Sequence, residues 1–149
     1  MTDYDVLREQ ISNLIAEVPY RISNMANISS ALYNEMEDIN WAGFYLLEGE
    51  KLILGPFCGR PACITIPVGK GVCGTSVKEK KTILVKDVER FKGHIACDSA
   101  SRSEIVIPIF DGENIWGVLD IDSPIVGRFS EDDRAGLEKI VLEIEKAFF

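Results

Sequence analysis

Two runs rich in β-branched and aromatic residues, EIVIPIF (104–110) and NIWGVLDID (114–122), flank Asp111-Gly112. Asp-Gly between such runs is a strong hairpin signal, because glycine accepts the left-handed backbone that a tight turn needs. A second pair, WAGFYLLEG (41–49) and KLILGPFCG (51–59), meets at Glu48-Gly49-Glu50 and predicts another hairpin. Hairpin-linked strands pair antiparallel, so these segments commit the chain to an antiparallel sheet. TILVKDV (82–88) reads as one more strand.

Helical periodicity brackets the strands. Tyr4, Leu7, Ile11, Leu14, Ile15 and Val18 form one apolar face over residues 3–18, which Pro19 ends. Ile22, Met25, Ile28, Leu32 and Met36 do the same over 21–36. Near the end of the sequence, Ser130-Glu131-Asp132-Asp133 resembles a helix cap, and Leu137, Ile140, Val141 and Ile144 line the face that follows. The spacing therefore predicts an α+β fold, with N- and C-terminal helices packed on one face of an antiparallel sheet. No linker or repeat divides the chain, so residues 1–149 read as a single domain. The polar stretch 89–103 reads as a long loop with a helical turn, and loops of that length are often functional.

The net charge is −8 and the pI about 4.7. Such a surface repels phosphate backbones, which argues against a nucleic-acid partner. No run of 18 apolar residues is present to span a membrane. MTDYDVLREQ lacks the pattern of a secretory leader, so the expected location is cytoplasmic. The four cysteines, Cys58, Cys63, Cys73 and Cys97, then begin as free thiols, and a disulfide among them would be transient and catalytic.

Asp120 and Asp122 stand two apart in a strand, hence on one face, which regular alternation would share with Trp116 and Val118. Two acids beside an apolar patch raise at least one pKa and suit proton donation; a wet strand end would explain them equally well. The hairpin loop decides what joins them. A two- or four-residue loop puts Glu104 on the opposite face, a three-residue loop pairs it with Asp120, and a five-residue loop with Asp122. The spacing leaves these alternatives open.

The stretch HIACDSASRSE (94–104) holds Cys97 and the only histidine, His94. A polar, small-residue setting suits a reactive thiol, although Asp98 beside it raises the thiol pKa unless His94 or Arg102 offsets the charge. Cys63 in GRPACITIP and Cys73 in GKGVCGT are candidate partners. One thiol becomes a sulfenic acid and another condenses with it to a disulfide. His94 and Cys97 also have His-x-x-Cys spacing, a weak zinc pattern without a Cys-x-x-Cys to complete it. Cys58 has the least informative setting.

Taken together, NWAGFYLL (40–47), GPFCGRPACITIPVGKGVCGTSV (55–77), GHIACDSASRSEIVIPI (93–109) and GVLDIDSP (117–124) resemble the free methionine-(R)-sulfoxide reductases, a family of small GAF-domain enzymes. The resemblance implies a GAF-like six-stranded antiparallel sheet and often a homodimer. It implies reduction of free L-methionine-(R)-sulfoxide to L-methionine, with Cys97 as nucleophile, Cys63 as the usual resolving thiol and Cys73 as a possible second one. Trp41 and Tyr45 would line the pocket, and Glu104, Asp120 and Asp122 would form the polar shell around the substrate. Thioredoxin would recycle the disulfide, and neither a metal nor a bound organic cofactor would be required. The alternative is a GAF small-molecule-binding or redox-sensing module without catalysis.

Overall fold

The computed structural model describes residues 1–94 and 100–149. Both expected hairpins form. β1 (Trp41–Glu48) turns through Gly49 into β2 (Lys51–Gly59), and β5 (Ser103–Asp111) turns through Gly112 into β6 (Asn114–Ser123). Gly49 and Gly112 each take φ of 64°, the left-handed backbone that the turns require. The short strands β3 (Thr65–Pro67) and β4 (Ile83–Val85) complete a six-stranded antiparallel sheet in the order β3-β2-β1-β6-β5-β4.

Three helices cover one face of the sheet: α1 (Tyr4–Ile15), α2 (Arg21–Glu35) and α4 (Glu131–Phe148). They bury Leu7, Ile11, Ile28, Leu32, Leu137, Ile140 and Ile144 against Ala42, Phe44, Ile105, Ile107, Leu119 and Ile121. Each fully buried aliphatic side chain is worth roughly 1.5–3 kcal/mol, so this layer dominates the stability. α1 stops at Ile15 rather than at 18, since Glu17 turns left-handed with φ of 58° ahead of Pro19. α4 begins at the expected cap. The Ser130 hydroxyl accepts from the Asp133 amide, and the Asp133 carboxylate accepts from the Ser130 amide.

The other face carries α3 (Gly71–Glu79) and a second apolar cluster with Trp41, Tyr45, Leu52, Val72, Cys73, Val106 and Val118. Helical periodicity does not predict α3, because GVCGTSVKE is short and rich in weak helix formers. Tertiary packing overrides that preference. A Cβ on Gly74 would stand 2.4 Å from the Pro67 carbonyl oxygen, so a bare glycine is what lets α3 dock beside β3.

The β5–β6 register corrects two expectations. The loop is an even, two-residue turn, with Asp111 opposite Asn114, yet Glu104 lies opposite Asp122. The ladder shifts by one between Ile109 and Phe110, so Trp116 is an extra, bulged residue on β6. Without the bulge, Glu104 would face Ile121 and enter the apolar helix-packed layer. Burying an unpaired carboxyl there costs several kcal/mol. The bulge also moves Trp116 off the carboxylate face. Its ring packs edge-on against Phe148 and Phe149 instead.

Candidate functional site

The second face of the sheet opens into a small cavity of about 40 Å³. β1 contributes Trp41 and Tyr45, β5 contributes Glu104, and β6 contributes Asp120 and Asp122. α3 closes one side with Gly71, Val72 and Cys73, while Ala62, Ile66, His94 and Ser101 complete the lining. The sequence reading brought Trp41, Tyr45, Cys73, Glu104, Asp120 and Asp122 forward, and the fold gathers them all. Cys97 lies outside the described residues. Gly71, Val72 and Ser101 escaped the sequence reading. Ser101 sits within the singled-out polar stretch, but the two α3 residues carry no chemical signal of their own.

The aromatic wall is stacked. Trp41 lies 5.1 Å from Phe57 and 5.9 Å from Tyr45 between ring centroids, with near-parallel planes. Gly43 makes this possible. A Cβ there would meet Phe57 Cβ at 2.3 Å and the Trp41 ring at 2.9 Å. Both wall residues also grip the loop after β2. Trp41 Nε1 donates to the Arg60 carbonyl at 3.1 Å, and the Tyr45 hydroxyl donates to the Cys63 carbonyl at 2.8 Å. Cys63 is disulfide-bonded, whereas Cys58 and Cys73 are free thiols.

Glu104 and Asp120 are buried, and Asp122 is half-buried. Burial pushes the Glu104 carboxyl well above the usual range, and the neighbouring Asp120 and Asp122 charges push it further. Burial also raises Asp120, but hydrogen bonds from Glu104 and the Cys73 thiol oppose this. Burial thus resists ionisation of both carboxyls; acidic neighbours add to it at Glu104, whereas accepted hydrogen bonds oppose it at Asp120. Burial, then the charges of Asp120, Glu104 and Asp122, hold the Cys73 thiol well above its ordinary value. Its place in the first turn of α3 offers about 1 kcal/mol toward a thiolate. That is too little against an ion-burial cost of several kcal/mol.

Of the two cations considered for offsetting charge near Cys97, which lies outside the described residues, each has a described setting. Arg102 pairs with Glu89 at 3.7 Å and with Asp87 at 4.0 Å. Burial pushes the His94 imidazole below the ordinary histidine range, which disfavours its charged form.

An aromatic seat and three clustered carboxyl groups in one pocket can hold a small amino acid and exchange a proton with it. The GAF-domain family profile matches residues 22–148. The free methionine-R-sulfoxide reductase of Escherichia coli is 50% identical over 143 residues, covering 96% of this chain and 87% of that protein. This chain belongs to the free methionine-R-sulfoxide reductase family. The fold carries the same relationship. The structure of the Staphylococcus aureus fRMsr in complex with its substrate superposes with a TM-score of 0.96 at 52% identity, covering all of this chain and 97% of that one. The Neisseria meningitidis free methionine-R-sulfoxide reductase, also solved with its substrate, superposes with a TM-score of 0.94 at 39% identity, covering 97% of this chain and 87% of that one. In this member of the family, the GAF sheet is what converts dispersed residues of β1, β5, β6 and α3 into one acidic, aromatic-walled pocket.

Proposed function

We propose that this chain is a single GAF domain that reduces free L-methionine-(R)-sulfoxide to L-methionine, with Cys97 as nucleophile. The observation that carries the reading is the pocket itself. It sets the buried Glu104 carboxyl, its pKa pushed up, beside Asp120 and an aromatic wall, in a chain half-identical to proteins named for that reaction.

The Cys97 thiolate attacks the sulfoxide sulfur, and the sulfur–oxygen bond breaks. The oxygen takes a proton and passes to Cys97 as a sulfenic acid while the transient sulfur–sulfur bond made in the attack breaks, releasing the thioether methionine. Glu104 supplies that proton, with Asp122 opposite it helping to polarise the oxygen. Asp120 holds the α-ammonium of the substrate. A methionine sulfoxide inside a protein chain lacks that ammonium, which accounts for selection of the free amino acid. Trp41 and Tyr45 give the thioether end a desolvated seat. The Cys63 thiol then condenses with the sulfenic acid, expelling water and leaving a disulfide. The involvement of Cys63 in a disulfide supports this role, and the burial and raised pKa of Cys73 weigh against it as first resolver.

A dithiol reductant must close the cycle, and thioredoxin fills that role, in the cytoplasm and with this chain as a homodimer. Among the described residues no helix is long and apolar enough to cross a membrane. Tyr20, Ile22 and Phe149 are exposed apolar residues that a second copy would cover.

The test is NADPH consumption with thioredoxin and its reductase, offering free methionine-(R)-sulfoxide, the S epimer and a peptide-bound R sulfoxide. Consumption with the free R epimer alone, abolished by Cys97→Ser, is the expected result. No consumption with any of the three leaves a GAF binding or redox-sensing module.

A further inference from the structure

Cys73 Sγ and one carboxylate oxygen each of Glu104 and Asp120 lie within 4.8 Å of one another. Donors held at roughly 2.0–2.3 Å from a tetrahedral zinc ion stand roughly 3.3–3.8 Å apart, a spacing that small side-chain rotations of the two acids reach. A second observation concerns a bonding deficit rather than a distance. Asp120 is only 5% exposed, lines the cavity, and has an Oδ1 buried without a hydrogen-bond partner. Leaving a buried acceptor unsatisfied costs about 1–3 kcal/mol, which a cation would recover. Nor does any basic side chain supply that charge: the ion pairs of the described residues include neither Glu104 nor Asp120.

We propose that Cys73, Glu104 and Asp120 form a binding site for a borderline or soft divalent cation, zinc or cadmium, within the same cavity. The thiolate donor selects these ions over magnesium or calcium, which prefer oxygen-only shells. Binding forms a metal–sulfur bond and releases the thiol proton to solvent, so affinity rises with pH. The ion takes the place of a ligand's ammonium on Asp120 and draws off the proton of Glu104. Its consequence as a competitive inhibitor of sulfoxide reduction rests on the proposed function; the site itself does not.

The test uses cadmium and the ultraviolet thiolate-to-cadmium charge-transfer band, a readout that needs no activity. In the oxidised protein Cys63 is disulfide-bonded, so Cys58→Ser leaves Cys73 as the free thiol among the described residues. A saturable 1:1 band is expected, abolished by adding Cys73→Ser and unaffected by excess magnesium. Glu104→Gln or Asp120→Asn should each weaken cadmium by about tenfold or more, the loss that even an outer-shell metal partner gives. Circular dichroism confirms that each variant folds. No band, a band that survives Cys73→Ser, or affinity unchanged in both carboxylate variants overturns the site. In the reduced enzyme, zinc should compete with free methionine sulfoxide, and inhibition that excess sulfoxide does not relieve overturns the shared occupancy. Absence of turnover would count against the reductase reading while leaving the cadmium result to stand alone.

Discussion

The Tyr45 hydroxyl donates to the Cys63 carbonyl at 2.8 Å, so one side chain both walls the pocket and pins the loop that carries the disulfide-bonded cysteine. Trp41 repeats the arrangement three residues earlier in that loop, on the Arg60 carbonyl. A single neutral hydrogen bond is worth about 1 kcal/mol, roughly a factor of five in a rate or an equilibrium. Tyr45→Phe keeps the ring and removes only this bond. Disulfide formation, followed by thiol trapping in a single turnover, should slow by about fivefold, with methionine release in that turnover nearly unchanged. Equal slowing of both steps would show that the bond serves the pocket and not the loop.

Glu104 makes stability depend on pH with a definite sign. Burial and its acidic neighbours raise its folded-state pKa above the unfolded value. Its stabilising contribution is therefore complete below the ordinary glutamate range and is lost as pH rises toward the folded value. The slope for one proton is about 1.4 kcal/mol per pH unit. Glu104→Gln abolishes this titration. Urea unfolding from pH 5 upward should show the variant gaining on the native protein as pH increases. Parallel curves would mean that Glu104 ionises normally.

The same substitution removes the proposed proton donor. Turnover should fall by about 10²–10⁴-fold, the usual worth of a positioned general acid. The Michaelis constant should move far less, since an amide keeps the shape and a hydrogen bond. A fall in kcat/KM carried entirely by KM would reassign Glu104 to binding.

Gly74→Ala tests the seat of α3. The new methyl would stand 2.4 Å from the Pro67 carbonyl oxygen, which belongs to backbone and cannot swing aside. Overpacking of this kind costs about 1–3 kcal/mol. The melting temperature should drop, and cadmium binding at Cys73 should weaken because the helix is displaced. An unchanged melting temperature would show that α3 docks loosely.

Ser130→Ala removes the hydroxyl that caps α4, far from the pocket. It should cost about 1 kcal/mol of stability in denaturant unfolding. Turnover should stay as in the native protein. A loss of activity would show that α4 and the pocket face are coupled through the sheet.

The terminal helices and both hairpins were legible because each depends on local signals: periodic apolar faces, a Ser-x-x-Asp cap, and glycine at the turn. Trp41, Tyr45, Asp120 and Asp122 were legible as sets, since alternation along a strand fixes which neighbours share a face. α3 was not, because Gly71–Glu79 has no local preference for a helix and forms one only where packing against the sheet supports it. From the residues alone Cys63 and Cys73 could be named as thiols but not ranked; only the family resemblance favoured Cys63 as resolver. It is the surroundings, a loop held by Tyr45 for one and a carboxylate-lined interior for the other, that divide their chemistry.

By itself, then, the order of residues determined the three terminal helices, both hairpins with their antiparallel pairing and the inventory of reactive groups, because these follow from interactions a few residues apart. Tertiary structure decided where Glu104 points. The tight turn at Gly112-Glu113 alone would send it toward Ile121 and the helix-packed core. One bulged residue, Trp116, restores the parity, and the carboxyl joins Asp120 and Asp122 on the cavity side. The bulge is followed by a glycine, Gly117, a local sign of an irregular strand that does not fix which residue bulges. Its stabilisation comes from elsewhere in the fold: a carboxyl kept out of the apolar layer, and an indole ring packed on Phe148 and Phe149 at the far end of the chain.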